Sequence, residues 1–335
     1  MVAHPEAGRV SHIQTIRDSY QVTFSDGHQS VFTSDAFDAV QDSLKTDLLR
    51  IGVVEERLWQ ASIADDPPRV HYDSIEAGPG MAHLMMLLRV YGFCSVVHTP
   101  PTSEATQALL ESIGPIRNTH YGGFYDFTAD LSSKDTAYTS ESLEPHTDNT
   151  YFTEPAGLQA LHMLSHTDGS GGKSSLVDGF KAAQILRETD PEAYRILSTT
   201  GVYAHASGNQ GISIQPASPA PTLSHDKYVD RLMQVRWNNA DRAGVAAQIG
   251  EEMEAWYRAA AKWDAILSDL NNQYWFQLKP GTLLLFDNWR VLHGRSAFTG
   301  KRRMCGGYIN RDDFISMFRT TNLTKEDLEA STVTG

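Results

Sequence analysis

The stretch from about Tyr121 to Val177 constrains the fold most, because short β-prone runs alternate there with turn clusters such as Gly169–Gly172. Two more strands are expected downstream. Gly281–Phe286, GTLLLF, is apolar almost throughout, as a strand buried on both faces is. Met304–Ile309 supplies the other. Before them lies the longest helical pattern, Ala246–Leu270, with Ile249, Met253, Trp256, Ala260, Trp263 and Leu267 along one stripe. Asp190-Pro191-Glu192 opens a further helix with proline in its first turn. Short strands with one long helical insertion suit an antiparallel double sheet with a helical layer outside it. No internal repeat or low-complexity tract interrupts this order.

The front of the chain reads differently. Tyr20–Phe32, YQVTFSDGHQSVF, has two short runs rich in Val, Thr and aromatics around Ser25-Asp26-Gly27-His28, and Asp-Gly between such runs is a hairpin signal. A polar segment then ends in Asp65-Asp66-Pro67-Pro68, where paired prolines stop regular structure. A boundary near residue 70 follows, with a small β-containing domain over 1–70 and the double-sheet domain over 71–335. Met81–Tyr91 carries apolar residues at helical spacing, and Phe93–Val97 is a short buried strand. Glu104–Ile113 is a helix ended by Gly114-Pro115.

Composition narrows the function classes. Hydrophobic residues at 41% and charged residues at 21% are ordinary for a globular chain and exclude a wholly disordered one. The formal net charge of −13 repels phosphate backbones, so nucleic acid is not an expected partner. No apolar run reaches the length of a membrane span, so no membrane partner is expected either. The opening MVAHPEAGRV lacks the basic and apolar segments of a secretory signal. Cys94 and Cys305 can build neither a disulfide scaffold nor a Cys-x-x-Cys metal site. A reducing, cytoplasmic setting is the expectation.

Thirteen histidines invite a test for metal ligands. Two histidines and one carboxylate leave coordination positions open, the arrangement of non-haem iron(II) oxygenases. A His-x-Asp pair at a strand end supplies two ligands, because residues two apart project to the same side. The pair occurs as His71/Asp73, His146/Asp148 and His166/Asp168. His166 and Asp168 run into Gly169-Ser170-Gly171-Gly172, a poor platform for a rigid site, and His71 precedes the β-rich segment. His146 follows Pro145 inside that segment, so His146 and Asp148 are favoured. His293, delivered by the buried strand and turn GTLLLFDNWRVL, is the expected third ligand. Arg302 has the planar fork that grips a carboxylate through two hydrogen bonds and would anchor an acidic cosubstrate. Within Lys301-Arg302-Arg303 it also fits a solvated basic turn.

Longer blocks carry a resemblance. They are Asp135-Thr136-Ala137-Tyr138, HTDNTYFTEPAGLQ at 146–159, GGKSSLVDGF at 171–180, VRWNNADRA at 235–243 and DNWRVLHGRSAFTGKRRMCGGYINRDD at 287–313. From about Gly114 to Asn322 the chain resembles the gamma-butyrobetaine and trimethyllysine dioxygenases, iron(II)- and 2-oxoglutarate-dependent oxygenases of the wider taurine-dioxygenase-like group. The DTAY form is the trimethyllysine-dioxygenase-like one. The resemblance implies a mainly β fold with flanking helices, whose core is a distorted double-stranded β-helix or jelly roll. It implies His146, Asp148 and His293 as iron ligands and Arg302 as the clamp on the distal carboxylate of 2-oxoglutarate. Ser174 would assist that cosubstrate. Dioxygen is the further reactant, ascorbate a stimulant, and a homodimer the assembly the resemblance suggests.

On the substrate side, the family holds a trimethylammonium group in an aromatic cage by cation–π attraction. The matching positions are Tyr121, Tyr125, Tyr138 and Tyr308, with Tyr125 standing where relatives commonly carry Trp. Asp135 suits a substrate α-ammonium, Asn239 would orient the substrate, and Arg117 could meet a substrate carboxylate. The first seventy residues hold no cysteine, so the zinc module common in eukaryotic members has no ligands here. Through Asp135 the resemblance implies oxidation of a free amino acid, with Nε-trimethyllysine 3-hydroxylation in front, whereas Tyr125 and the missing zinc ligands favour its rival. Its rival within the class is oxidation, desaturation or cyclisation of a small non-methylated amino acid in a specialised biosynthetic pathway. A metal-free binding or sensor domain on the same scaffold is the third reading, and the intact ligand set opposes it.

Overall fold

A computed structural model describes residues 9–34, 52, 54–129, 140–207, 210–227, 230–243 and 251–330. Its packing divides the chain into two units, residues 1–54 with 318–335, and residues 55–317. In the first unit β1 (Val10–Ile16), β2 (Ser19–Phe24) and β3 (Gln29–Thr33) form an antiparallel sheet. Gly27, at φ 86°, makes the β2–β3 turn, and the Asp26 carboxylate accepts from the His28 N–H at 2.9 Å. β1 adds a third strand to the expected hairpin and is exposed along its whole length.

The second unit is built on β4 (Arg69–His71), β5 (Phe93–Val97), β6 (Tyr125–Ala129), β7 (Leu143–His146), β8 (Leu158–Thr167) and β9 (Ser174–Asp178). The later strands are β10 (Gln273–Phe276), β11 (Thr282–Asp287), β12 (Val291–Arg295) and β13 (Lys301–Ile309). One sheet runs β4-β5-β11-β8-β13-β6 and the other β10-β9-β12-β7. Every neighbouring pair is antiparallel except β4 and β5. This is the distorted double-stranded β-helix.

Period-two geometry explains the apolar run in β11. Leu284 and Phe286 join Phe93, Met163, Leu176, Val291 and Met304 between the sheets. Leu283 and Leu285 are buried on the opposite face. There the larger sheet is covered by α1 (Tyr72–Glu76), α2 (Pro79–Tyr91) and α3 (Ser103–Ile113), which pack against its strands or one another. A second helical layer comprises α4 (Gly179–Thr189), α5 (Pro191–Thr199) and α6 (Glu251–Ser268). Trp256, Ala260, Trp263 and Leu267 of α6 pack with Val177, Trp237 and Leu292. Met253 is the exception to the expected stripe, being 38% exposed, and Ile249 lies outside the described residues.

The packing boundary at residue 55 falls before the expected break near residue 70. Trp59 gives the physical reason. Its ring lies in the inter-sheet core with its centroid 5.1 Å from that of Phe93, and its Nε1 donates to the Tyr91 carbonyl at 2.7 Å. Pro67-Pro68 sits inside the unit, between a 3-10 helix over Ala61–Asp65 and β4. Among the described residues no helix is long and apolar enough to cross a membrane. Cys94 and Cys305 are both free and buried.

Candidate active site

His146 closes β7 and His293 lies on β12, and the two are partners in the antiparallel ladder. Pairing brings the imidazole centroids to 4.3 Å. Asp148 follows two residues after His146, where the chain turns through Asn149 at φ 62°, a left-handed conformation that asparagine tolerates. Its Oδ1 lies 3.3 Å from His146 Nε2 and 3.9 Å from His293 Nε2. Asn288, in the β11–β12 turn and fully buried, holds the Asp148 backbone in place. Its Oδ1 accepts from the Asp148 N–H at 2.8 Å, and its Nδ2 donates to the carbonyls of Asp148 and Ala156 at 3.0 and 3.1 Å. Among the described residues this is the one three-membered cluster of metal-ligating side chains, with donor atoms within 4.8 Å of one another. The other His-x-Asp pairs stand apart from it. His71 stacks on His98 with centroids 4.8 Å apart, and His166 Nε2 donates to the Thr299 carbonyl at 2.8 Å.

The donor set fits a divalent iron. His146 Nδ1 donates to the Glu144 carbonyl at 2.8 Å, which leaves the Nε2 lone pair for a metal. Burial disfavours the Asp148 carboxylate, but His293, His146 and the Tyr308 hydroxyl outweigh it and hold Asp148 well below the usual carboxylate range. Burial, reinforced by the neighbouring His146, pushes His293 down to about 3. Burial also opposes a charge on His146, yet the hydrogen bond and charge of Asp148, with the Glu144 carbonyl, raise it overall. One anionic oxygen and two imidazole nitrogens are the donors of the iron(II) facial triad.

These three side chains open into a cavity of about 410 Å³ between the sheets. Arg302 on β13 lines it, alternating with Arg303 so that Arg302, Met304 and Tyr308 share the inner wall. Arg302 is 3% exposed, its Nε has no hydrogen-bond partner, and no carboxylate of the described residues pairs with it. Its guanidinium lies 4.8 Å from the Phe298 ring centroid. Burial, with repulsion from Arg295, lowers it to about 10. An uncompensated buried guanidinium is costly, and an anion in the cavity would relieve that cost. Ser174 on β9 lines the same cavity.

Tyr121, Tyr125 and Tyr308 also line it, whereas Asp135 and Tyr138 lie outside the described residues. The Tyr125 hydroxyl donates to the Ala160 carbonyl at 2.7 Å, opposite Gly306. A Cβ on Gly306 would fall 2.0 Å from that carbonyl oxygen, so glycine keeps the approach open. Two expected residues are placed elsewhere. Asn239 is exposed and its Oδ1 accepts from Arg242 Nε at 3.3 Å. The tight turn there, with Asn238 Oδ1 accepting from the Ala240 N–H at 3.0 Å, puts Asn238 on the cavity wall in its stead. Arg117 is off the wall because its backbone N–H donates to the Tyr308 carbonyl and its guanidinium lies over Phe152 at 4.9 Å. Residues not singled out from the sequence include Tyr151, Asn238, Asp241 and Asn288. Tyr151 stands just after the His146–Asp148 turn and Asp241 lies in the VRWNNADRA block at 235–243, so both could have been found from the segments that carry the resemblance.

The sequence profile described as taurine catabolism dioxygenase TauD, TfdA family, matches residues 61–308. A trimethyllysine dioxygenase of Neurospora crassa is 42% identical over 359 residues, covering 94% of this chain and 74% of the relative. One of Meyerozyma guilliermondii is 46% identical over 237 residues, covering 70% of this chain and 59% of its own length. The chain thus spans only part of each relative. A solved asparagine oxygenase has a TM-score of 0.52 at 15% identity, covering 83% of this chain and 92% of that one, which is a likeness of fold. With the profile spanning most of the double-sheet unit and both fungal relatives well above chance similarity, the chain belongs to the TauD/TfdA family of iron(II)- and 2-oxoglutarate-dependent dioxygenases.

Proposed function

We propose that the protein hydroxylates Nε-trimethyllysine at C3, with His146, Asp148 and His293 holding iron(II) and with Arg302 and Ser174 binding 2-oxoglutarate. The relation to the fungal trimethyllysine dioxygenases is the observation that carries the substrate, and a tyrosine-lined cavity beside the three ligands supports it. When bound, iron(II) would let dioxygen oxidise both 2-oxoglutarate, to succinate and carbon dioxide, and an unactivated C–H bond of the substrate, one oxygen atom entering each product.

The chain's own residues bind and orient. Arg302 takes the far carboxylate of 2-oxoglutarate in a dry setting, where a charge-assisted bond is strong. The rings of Tyr121, Tyr125 and Tyr308, with Tyr138, attract the trimethylammonium group through their faces. Asp135 receives the α-ammonium. No side-chain base is needed, since the hard step belongs to the cofactor. The same reading includes a homodimer and a reducing compartment, which the two free, buried cysteines suit.

The test is succinate release by purified protein with iron(II), ascorbate and 2-oxoglutarate, offered trimethyllysine, gamma-butyrobetaine or ordinary amino acids. Turnover with trimethyllysine and a product heavier by one oxygen atom is expected. Turnover only with an unmethylated amino acid would overturn the substrate while keeping the enzyme class.

A further inference from the structure

We propose that Tyr308 is a positioning residue for the metal, acting through Asp148, as well as a wall of the substrate cavity. The inference rests on the iron-site reading above. The Tyr308 hydroxyl donates to Asp148 Oδ2 at 2.6 Å, and Tyr308 is 8% exposed. A hydroxyl-to-carboxylate bond this short, largely shielded from water, is among the stronger neutral-to-charged contacts.

Its consequence is directional. A carboxylate with two free oxygens can rotate about its Cβ–Cγ bond and offer either oxygen or both. Here Oδ2 is committed to Tyr308, and Oδ1 is the oxygen that faces the two imidazoles, at 3.3 and 3.9 Å. Asn288 pins the Asp148 backbone from the β11–β12 turn, so Asp148 is held at both ends by different elements. The hydroxyl would therefore leave Oδ1 as the carboxylate oxygen offered to a metal.

The ring does separate work. It meets Tyr125 edge-on with centroids 6.0 Å apart, and both residues line the cavity. One side chain thus touches the space for substrate and the carboxylate for metal. Removing the hydroxyl while keeping the ring separates the two roles.

Cobalt(II) is the probe, titrated by equilibrium dialysis and visible absorption into the wild-type protein and into the Tyr308→Phe, Tyr308→Leu and His146→Ala variants. Loss of a group that orients a metal ligand weakens metal binding about 10- to 100-fold. Tyr308→Phe is expected to show that loss and an altered ligand-field band, with the KM for trimethyllysine little changed. Tyr308→Leu should match its cobalt affinity and raise that KM as well. Equal affinity and an unchanged band in Tyr308→Phe would overturn the inference and leave the iron site standing. Failure of the wild-type protein to bind cobalt more tightly than His146→Ala would overturn the iron-site reading, and this inference with it.

Discussion

His146 and His293 face each other as partners on neighbouring antiparallel strands, with their ring centroids 4.3 Å apart. Strand register, more than either side chain's rotamer, sets the spacing of the two imidazoles. A slip of one residue would turn His293 to the other face of the sheet. Asn288 and Tyr308 then place Asp148 against that pair, so the site is assembled from β7, β12, β13 and one turn.

Arg302 separates stability from function. It is a buried cation with an unsatisfied Nε and no counter-ion among the described residues, so an apolar side chain of similar length relieves its desolvation cost. Arg302→Met is expected to raise the stability of the cosubstrate-free protein by about 1 kcal/mol or more, measured by chemical denaturation. The same change should raise the KM for 2-oxoglutarate about tenfold or more, the value of one charge-assisted hydrogen bond. A destabilised variant with normal 2-oxoglutarate binding would place the cosubstrate elsewhere.

Asp241 enters the cavity wall from the 235–243 segment, with Asn238 Nδ2 donating to its Oδ2 at 2.8 Å. A carboxylate there can receive a cationic group of an amino-acid substrate. Asp241→Asn, which keeps the shape and removes the charge, should raise the KM for that substrate about tenfold while leaving the KM for 2-oxoglutarate unchanged. An unaltered substrate KM would assign ammonium recognition to Asp135 alone.

His162 makes stability fall with acid. It is fully buried on β8, and burial pushes it down to about 4. Its Nδ1 lies 2.8 Å from Thr106 Oγ1, which also bonds the Thr102 carbonyl and the Cys305 thiol, a network suited to a neutral ring. In the unfolded chain the ring titrates near the ordinary histidine value of about 6.5. The unfolded state therefore binds the proton first, and the contribution of His162 is complete above that value and lost as pH falls towards 4. Between pH 7 and pH 5 the loss is roughly 2 kcal/mol. Denaturant midpoints at the two pH values should differ less in His162→Asn than in wild type, and equal differences would show that another group controls the slope.

Much of the architecture was legible because local patterns report local structure. The Asp26-Gly27 turn, the α2 and α3 patterns, and the all-apolar β11 each carry their signal within a dozen residues or fewer. The break near residue 70 shows the limit. Pro67-Pro68 marks an interruption of regular structure, whereas membership of a packed unit is decided by what Trp59 touches.

The site divides along the same line. By itself the sequence supplied the chemistry, two imidazoles, a carboxylate and a guanidinium, and the His-x-Asp spacing that sends His146 and Asp148 to one side. Only the tertiary structure decided which residues meet. Asn238 and Asn239 are adjacent in the chain, yet a tight turn puts the first on the cavity wall and the second in solvent. Tyr308 and Asp148 are remote in the chain, yet the sheet brings hydroxyl and carboxylate to 2.6 Å. Spacing along a chain governs direction over a few residues, whereas contacts across the fold depend on register and packing that no single segment contains.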